Sequence, residues 1–157
     1  MYSTSVDLGI VLIGTKETSN HLSDQYGAGQ YTNVTAFRVI EKLNLDALRM
    51  LDDIKVEDKL TAKGDSMDGL IVAMDMIARH VGTKKYKKRI FVITDGEKEA
   101  KFDEQERKTV IRNMNESDTR LNVITLDFCD ELAEDEEDED DDVQKQQPKA
   151  NAGETKA

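Results

Sequence analysis

Three apolar runs constrain this chain more than any other feature: "VDLGIVLIGT" at Val6–Thr15, "RIFVITDG" at Arg89–Gly96 and "LNVITLDF" at Leu121–Phe128. Each is rich in β-branched residues and lacks the polar alternation of a half-buried strand. The first two therefore predict strands covered on both faces, as in a parallel sheet, and the third a further apolar strand. None approaches the roughly 20 apolar residues that span a bilayer, and the N-terminal "MYSTSVDLG" has no basic-then-apolar signal pattern. A soluble chain that is not exported is expected.

The segments between these runs supply the other layer. Met67, Leu70, Ile71, Met74, Ile77, Ala78 and Val81 recur at three- and four-residue spacings, predicting a helix that starts at about Ser66 with Ser66 as its cap. A second, polar helix is expected over Asp103–Met114, with a thin stripe of Val110, Ile111 and Met114 and with Asp103/Arg107 and Glu104/Lys108 four residues apart. Asp46 is expected to cap a short helix through Leu51 and Ile54, with Leu48 and Leu51 on its buried side. "NVTAFRVIEKL" at Asn33–Leu43 mixes apolar and polar residues and reads as an edge strand, while "KETSNHLSDQYGAGQY" reads as loop. The order predicts an α/β protein with a mostly parallel sheet and helices on both faces.

Charge divides the chain. Residues 130–157 hold 12 acidic and 3 basic side chains, a net charge of −9, and eleven of those carboxylates fall in "DELAEDEEDEDDD". The chain as a whole carries −11, so residues 1–129 carry only −2. The expected organisation is a domain over 1–129 followed by an acidic, disordered loop or tail over 130–157, because like charges this dense cannot offset their ordering entropy by burial. That run reads as a solvated segment or as a decoy for basic partners. One cysteine, Cys129, and two histidines, His21 and His80, build neither a disulfide framework nor a Cys/His zinc site from this chain alone, which suits a reducing compartment.

The chemical signals are sparse. Asp95 ends an apolar run, where open α/β sheets keep ligand sites, and reads as a metal ligand, a catalytic acid or a plain strand end. Lys84, Lys85, Lys87, Lys88 and Arg89 form a basic cluster with Tyr86 inside it, a candidate phosphate or partner contact or an exposed helix-to-strand turn. No Gly-x-x-x-x-Gly-Lys phosphate loop is present, so no nucleotide cofactor is expected. His80 has no partner carboxylate at a catalytic spacing and Cys129 no local base, and no catalytic residue is expected.

The segments "GIVLIGT", "QYTNVTAF", "LDALRMLDDI", "DGLIVAMDMIARH" and "KKYKKRIFVITD", in this order over about residues 5–129, resemble the amino-terminal von Willebrand factor A-type domain of the larger subunit of the Ku DNA-end-binding heterodimer. The resemblance implies a Rossmann-like fold here lacking its first strand and helix, since no Asp-x-Ser-x-Ser loop precedes Val6. It implies a protein-interaction module of a nuclear heterodimer. The partners would be the smaller Ku subunit, DNA ends met through the full heterodimer, and factors of end-joining repair and telomere maintenance, with no membrane. Metal-binding relatives of this fold place an aspartate where Asp95 stands, so Asp95, Asp65 and Ser66 are the candidate metal ligands. Lys63-Gly64-Asp65-Ser66 lacks the threonine those relatives use, and a hard cation wants about six oxygens. The alternative is a metal-dependent ligand-binding A domain unrelated to DNA. Ku proteins also bear the label ATP-dependent DNA helicase, for which this chain offers no phosphate loop.

Overall fold

A computed structural model describes residues 6–54, 64–96 and 103–126. The chain divides after Asp127, and all the described residues lie in the first unit, Met1–Asp127. Expectations for Cys129, for Phe128 and for the acidic segment 130–157 fall outside the described residues.

The first unit is α/β. Strand β1 (Asp7–Ile13) is followed by α1 (His21–Tyr26), β2 (Val34–Lys42), α2 (Leu45–Asp52), α3 (Ser66–Val81), β3 (Lys88–Thr94), α4 (Glu104–Glu116) and β4 (Thr119–Thr125). Parallel pairing is present in β3–β4, which run in unbroken register from Lys88↔Thr119 to Thr94↔Thr125. Strands β1 and β2 instead pair antiparallel, from Asp7↔Lys42 to Ile13↔Val34, with register shifts on either side of Ile10. The described strands thus form two two-stranded sheets rather than one mostly parallel sheet. The β1–β2 link carries one six-residue helix and returns the chain beside β1 in the opposite direction.

Arg38 secures the irregular pair. It is 3% exposed, and its guanidinium donates from Nη1 to Leu8 O at 2.6 Å and from Nη2 to Lys42 O at 3.2 Å, while Nη2 lies 2.8 Å from Glu41 Oε1. A register shift pulls carbonyls out of the ladder, and the buried arginine supplies the donors that the ladder no longer provides.

Helix α3 is the pillar of the unit. Asp65, not Ser66, caps it: Asp65 Oδ1 accepts from Met67 N at 2.8 Å. Val72 and Met76 join Leu22 and Val34 in one buried cluster beneath β1 and β2. Met67 joins Val110 and Met114 of α4 in another, and Ile71 packs against both. The apolar positions therefore wrap further round α3 than a single face: Val72 and Met76 are buried, whereas Ala78 is exposed. Gly69 lets α3 approach β1, since a Cβ there would stand 2.5 Å from Ile13 Cγ1 and nearer still to Cδ1.

Several expectations need correction. The stretch read as loop contains α1, whose one buried apolar residue, Leu22, gives no periodic signal. Helix α2 is capped by Asn44, whose Oδ1 accepts from Ala47 N at 2.9 Å, and ends at Asp52 rather than reaching Ile54. It buries Ala47 and leaves Leu48 and Leu51 exposed. On α4 Val110 and Met114 are buried and Ile111 is exposed. Strand β4 starts at Thr119, two residues before the expected Leu121. Strand β3 is covered on one face only: Ile90 is buried, but Phe91 is 55% and Ile93 65% exposed.

Candidate functional site

The loop between β1 and β2 is built by side chains that take the place of a ladder. Asn20 opens α1 by accepting Ser23 N at Oδ1, 2.8 Å, and Ser23 Oγ returns a bond to Asn20 O at 2.8 Å. Gly27, at φ 95°, closes the helix after six residues. The chain then passes through Gly29 at φ 103°, Tyr31 at φ 51° and Asn33 at φ 59° before entering β2. Asn33 holds the turn by accepting Gly14 N at 2.8 Å and Thr15 N at 3.1 Å on its backbone carbonyl and by donating Nδ2 to Thr15 O at 2.8 Å.

This loop walls a groove of about 580 Å³ whose floor is α3. Ile71, Met74, Ile77 and Val81 give an apolar floor, Leu22, Tyr26 and Tyr31 one wall, and Val110 with Asn113 the other. The two tyrosine rings are tilted against each other at 6.3 Å between centroids and 49°. At one end Lys84 and Lys88 meet Ser117 and Thr119, whose hydroxyls lie 2.8 Å apart. Along the floor Asp75 is held by Arg79 Nε at 2.8 Å and faces His21 Nδ1 at 3.3 Å. Burial first, then the Asp68 carboxylate, raises the Tyr31 phenol above its ordinary range. An apolar trough with a few convergent polar groups and a perturbed phenol suits an apolar peptide segment or small molecule.

The residues singled out in the sequence are partly gathered here. Lys84 and Lys88 line the groove, whereas Lys85 and Lys87 are exposed in the turn before β3 and Arg89 pairs in register with Arg120. Of the candidate metal ligands, Asp65 spends an oxygen on the α3 cap and Ser66 opens that helix. Asp95 is exposed just beyond β3, where Thr94 Oγ1 accepts Gly96 N at 3.1 Å. Among the described residues no group of three or more His, Cys, Asp or Glu side chains is placed to hold a metal ion. Burial first, then Asp65 and Glu106, raises Asp68 above the ordinary carboxylate range. His80 has a carboxylate partner after all, Asp7 Oδ2 at 3.1 Å, which no local spacing could show because it lies 73 residues away. Leu22, Tyr26 and Tyr31 were missed in a segment read as loop; the signal available was Asn20 as a helix cap ahead of Leu22.

Residues 3–153 match the family described as the Ku70/Ku80 N-terminal alpha/beta domain. "X-ray repair cross-complementing protein 5" of Dictyostelium discoideum is 35% identical over 139 residues, 88% of this chain and 16% of that protein. "ATP-dependent DNA helicase 2 subunit KU80" of Oryza sativa subsp. japonica is 34% identical over 62% of this chain and 13% of its own length. "ATP-dependent DNA helicase II subunit 2" of Chaetomium globosum is 32% identical over 78% of this chain and 16% of its own length. The chain thus spans about a sixth of these relatives, within their α/β region, and it belongs to the Ku N-terminal α/β domain family, on the side of the larger, Ku80-type subunit.

Proposed function

We propose that the chain is a protein-interaction module of a Ku large subunit and that it docks a short apolar segment of a partner protein in the groove on α3. The observation that carries this reading is the groove itself, with its aliphatic floor, two-tyrosine wall and lysine-bearing end. A trough of this kind takes alternate side chains of a peptide while its polar rim fixes the peptide's direction. In the cell the module acts in the nucleus, in double-strand-break repair by non-homologous end joining and in telomere maintenance, and its partners are repair and telomere factors. It does so beside the smaller Ku subunit. DNA ends are met by the heterodimer and not by this domain, whose residues 1–129 carry a net charge of only −2 out of the chain's −11. The reading assigns no enzymatic step and no resident cofactor to the chain.

The test is a titration of overlapping peptides, tiled from end-joining and telomere factors, against the chain and against its Ile77→Glu variant. Ile77 lines the groove and belongs to neither buried cluster, so a carboxylate there breaks the apolar floor and spares the core. Saturable binding by some peptides that disappears in the variant is expected. Peptides that bind both proteins equally, or none that bind at all, would overturn the proposal.

A further inference from the structure

Asn20 and Arg38 are the two buried polar side chains among the described residues, and Asn20 lies 4% exposed behind the groove without lining it. Its amide is fully used. Oδ1 accepts from Ser23 N at 2.8 Å, and Nδ2 donates to Tyr31 O at 3.1 Å and to Val34 O at 2.9 Å. The first bond starts α1, which carries Leu22 and Tyr26. The other two hold the chain on either side of the turn that carries Tyr31, a residue at φ 51° in the left-handed region that bulky side chains seldom hold unaided. Tyr31 in turn packs against the cluster of Leu22, Val34, Val72 and Met76. One buried amide thus ties together both ends of the loop that builds the aromatic wall.

We infer that Asn20 is a positioning residue for the docking groove: it holds Tyr31, and through α1 Tyr26, in the arrangement that forms the wall, an inference that rests on the groove being the docking site. The amide chemistry is specific to this task. Serine at this position still caps the helix but is too short to reach the two carbonyls, so Asn20→Ser separates the cap from the tie.

The experiment uses the full chain, with Tyr ring carbons labelled for NMR and 1-anilinonaphthalene-8-sulfonate as the groove probe, its aromatic rings suiting the floor and its sulfonate the Lys84–Lys88 end. In Asn20→Ser the Tyr31 phenol should titrate closer to the ordinary tyrosine value, and probe affinity should fall about tenfold, the scale of one or two lost hydrogen bonds. In a Tyr31→Ala background Asn20→Ser should weaken the probe no further, because the residue it positions is gone. An unmoved Tyr31 titration, or equal losses in both backgrounds, would overturn the inference. Ile77→Glu, at a groove residue outside both buried clusters, reports on the docking site separately. Probe affinity unchanged in that variant, with the Tyr31 titration still shifted by Asn20→Ser, would refute the groove and uphold the tie. Where Asn20→Ser fails to fold, hydrogen exchange of Asn20 Nδ2 in the wild-type chain decides: slower exchange on probe saturation is expected, and unchanged exchange counts against it.

Discussion

Replacing Gly69 by alanine sets two known effects against each other, and the structure says which one wins. Alanine in a helix interior is favoured over glycine by about 1 kcal/mol, so on propensity alone Gly69→Ala should stabilise α3. The new methyl, however, would stand 2.5 Å from Ile13 Cγ1 and nearer to Cδ1. Because Cγ1 itself is in the way, a turn of the terminal methyl is not enough: Ile13 must change χ1, which a β-branched side chain resists, or β1 must move away from α3. Overpacking of this kind costs about 1–3 kcal/mol. The substitution sits in the first turns of α3, where less of the propensity gain is realised, so the expected net effect is a loss of about 1–2 kcal/mol. Urea denaturation of the wild type, Gly69→Ala, Ile13→Ala and the double variant measures it. With Ile13 truncated the methyl has room, and Gly69→Ala should then stabilise by up to about 1 kcal/mol. A midpoint for Gly69→Ala at or above wild type in the Ile13 background, or coupling within about 0.5 kcal/mol of zero, would show that α3 and β1 do not meet as described.

Arg38→Met should cost about 2 kcal/mol in the same denaturation assay, since it takes from the part-buried Leu8 and Lys42 carbonyls the donors that now serve them; a loss below about 0.5 kcal/mol would mean water takes over. Asp68 has a raised pKa in the folded chain, so its contribution to stability is complete below the ordinary carboxylate range and is lost as pH rises through its raised value. Asp68→Asn should therefore raise stability at neutral pH and change it little in acid, read from thermal midpoints across that window; an equal gain at both ends would contradict the charge argument. The chain alone, at net charge −11, should bind duplex DNA ends weakly or not at all, because affinity for DNA rests on counterion release by clustered Lys and Arg. Tight end-dependent binding in a low-salt gel shift would refute that.

How far the fold could be read in advance depended on how local its causes are. Strand β3 was legible because Ile90, Phe91, Val92 and Ile93 make an unbroken apolar run, and α3 because its apolar residues repeat over sixteen residues. What those patterns do not carry is the partner. The apolar run of β3 reads as doubly covered, yet Phe91 and Ile93 face solvent, and nothing within the run says which face lacks a neighbour. Direction of pairing was likewise hidden: β2 turns back along β1 because side chains at Asn20 and Asn33 fold the loop, and these are single polar residues in a stretch whose composition says only turn. Lys84 and Lys88 stand out as candidates by their clustering, but their separation from Lys85 and Lys87 needs the geometry of the turn into β3. The groove was the least legible feature, since its wall, floor and end come from segments far apart in sequence and only α3 announces itself.

The position of α3 has a consequence for docking. Ile71 packs against both buried clusters and also lines the groove, so the side chain a partner would touch is the one through which the two halves of the core meet. A ligand that binds only the folded chain adds RT ln(1 + [L]/Kd), about 2.7 kcal/mol at a hundred times Kd, against a total stability of about 5–15 kcal/mol for a domain of ordinary size. With β3 bare on one face and few large side chains fully buried among the described residues, a stability toward the lower end of that range is expected. Partner binding and folding are then strongly linked. Groove variants such as Ile71→Glu lower both at once, whereas a change at the groove's lysine end, at Lys84, weakens docking while leaving the core, which it does not touch, as it was.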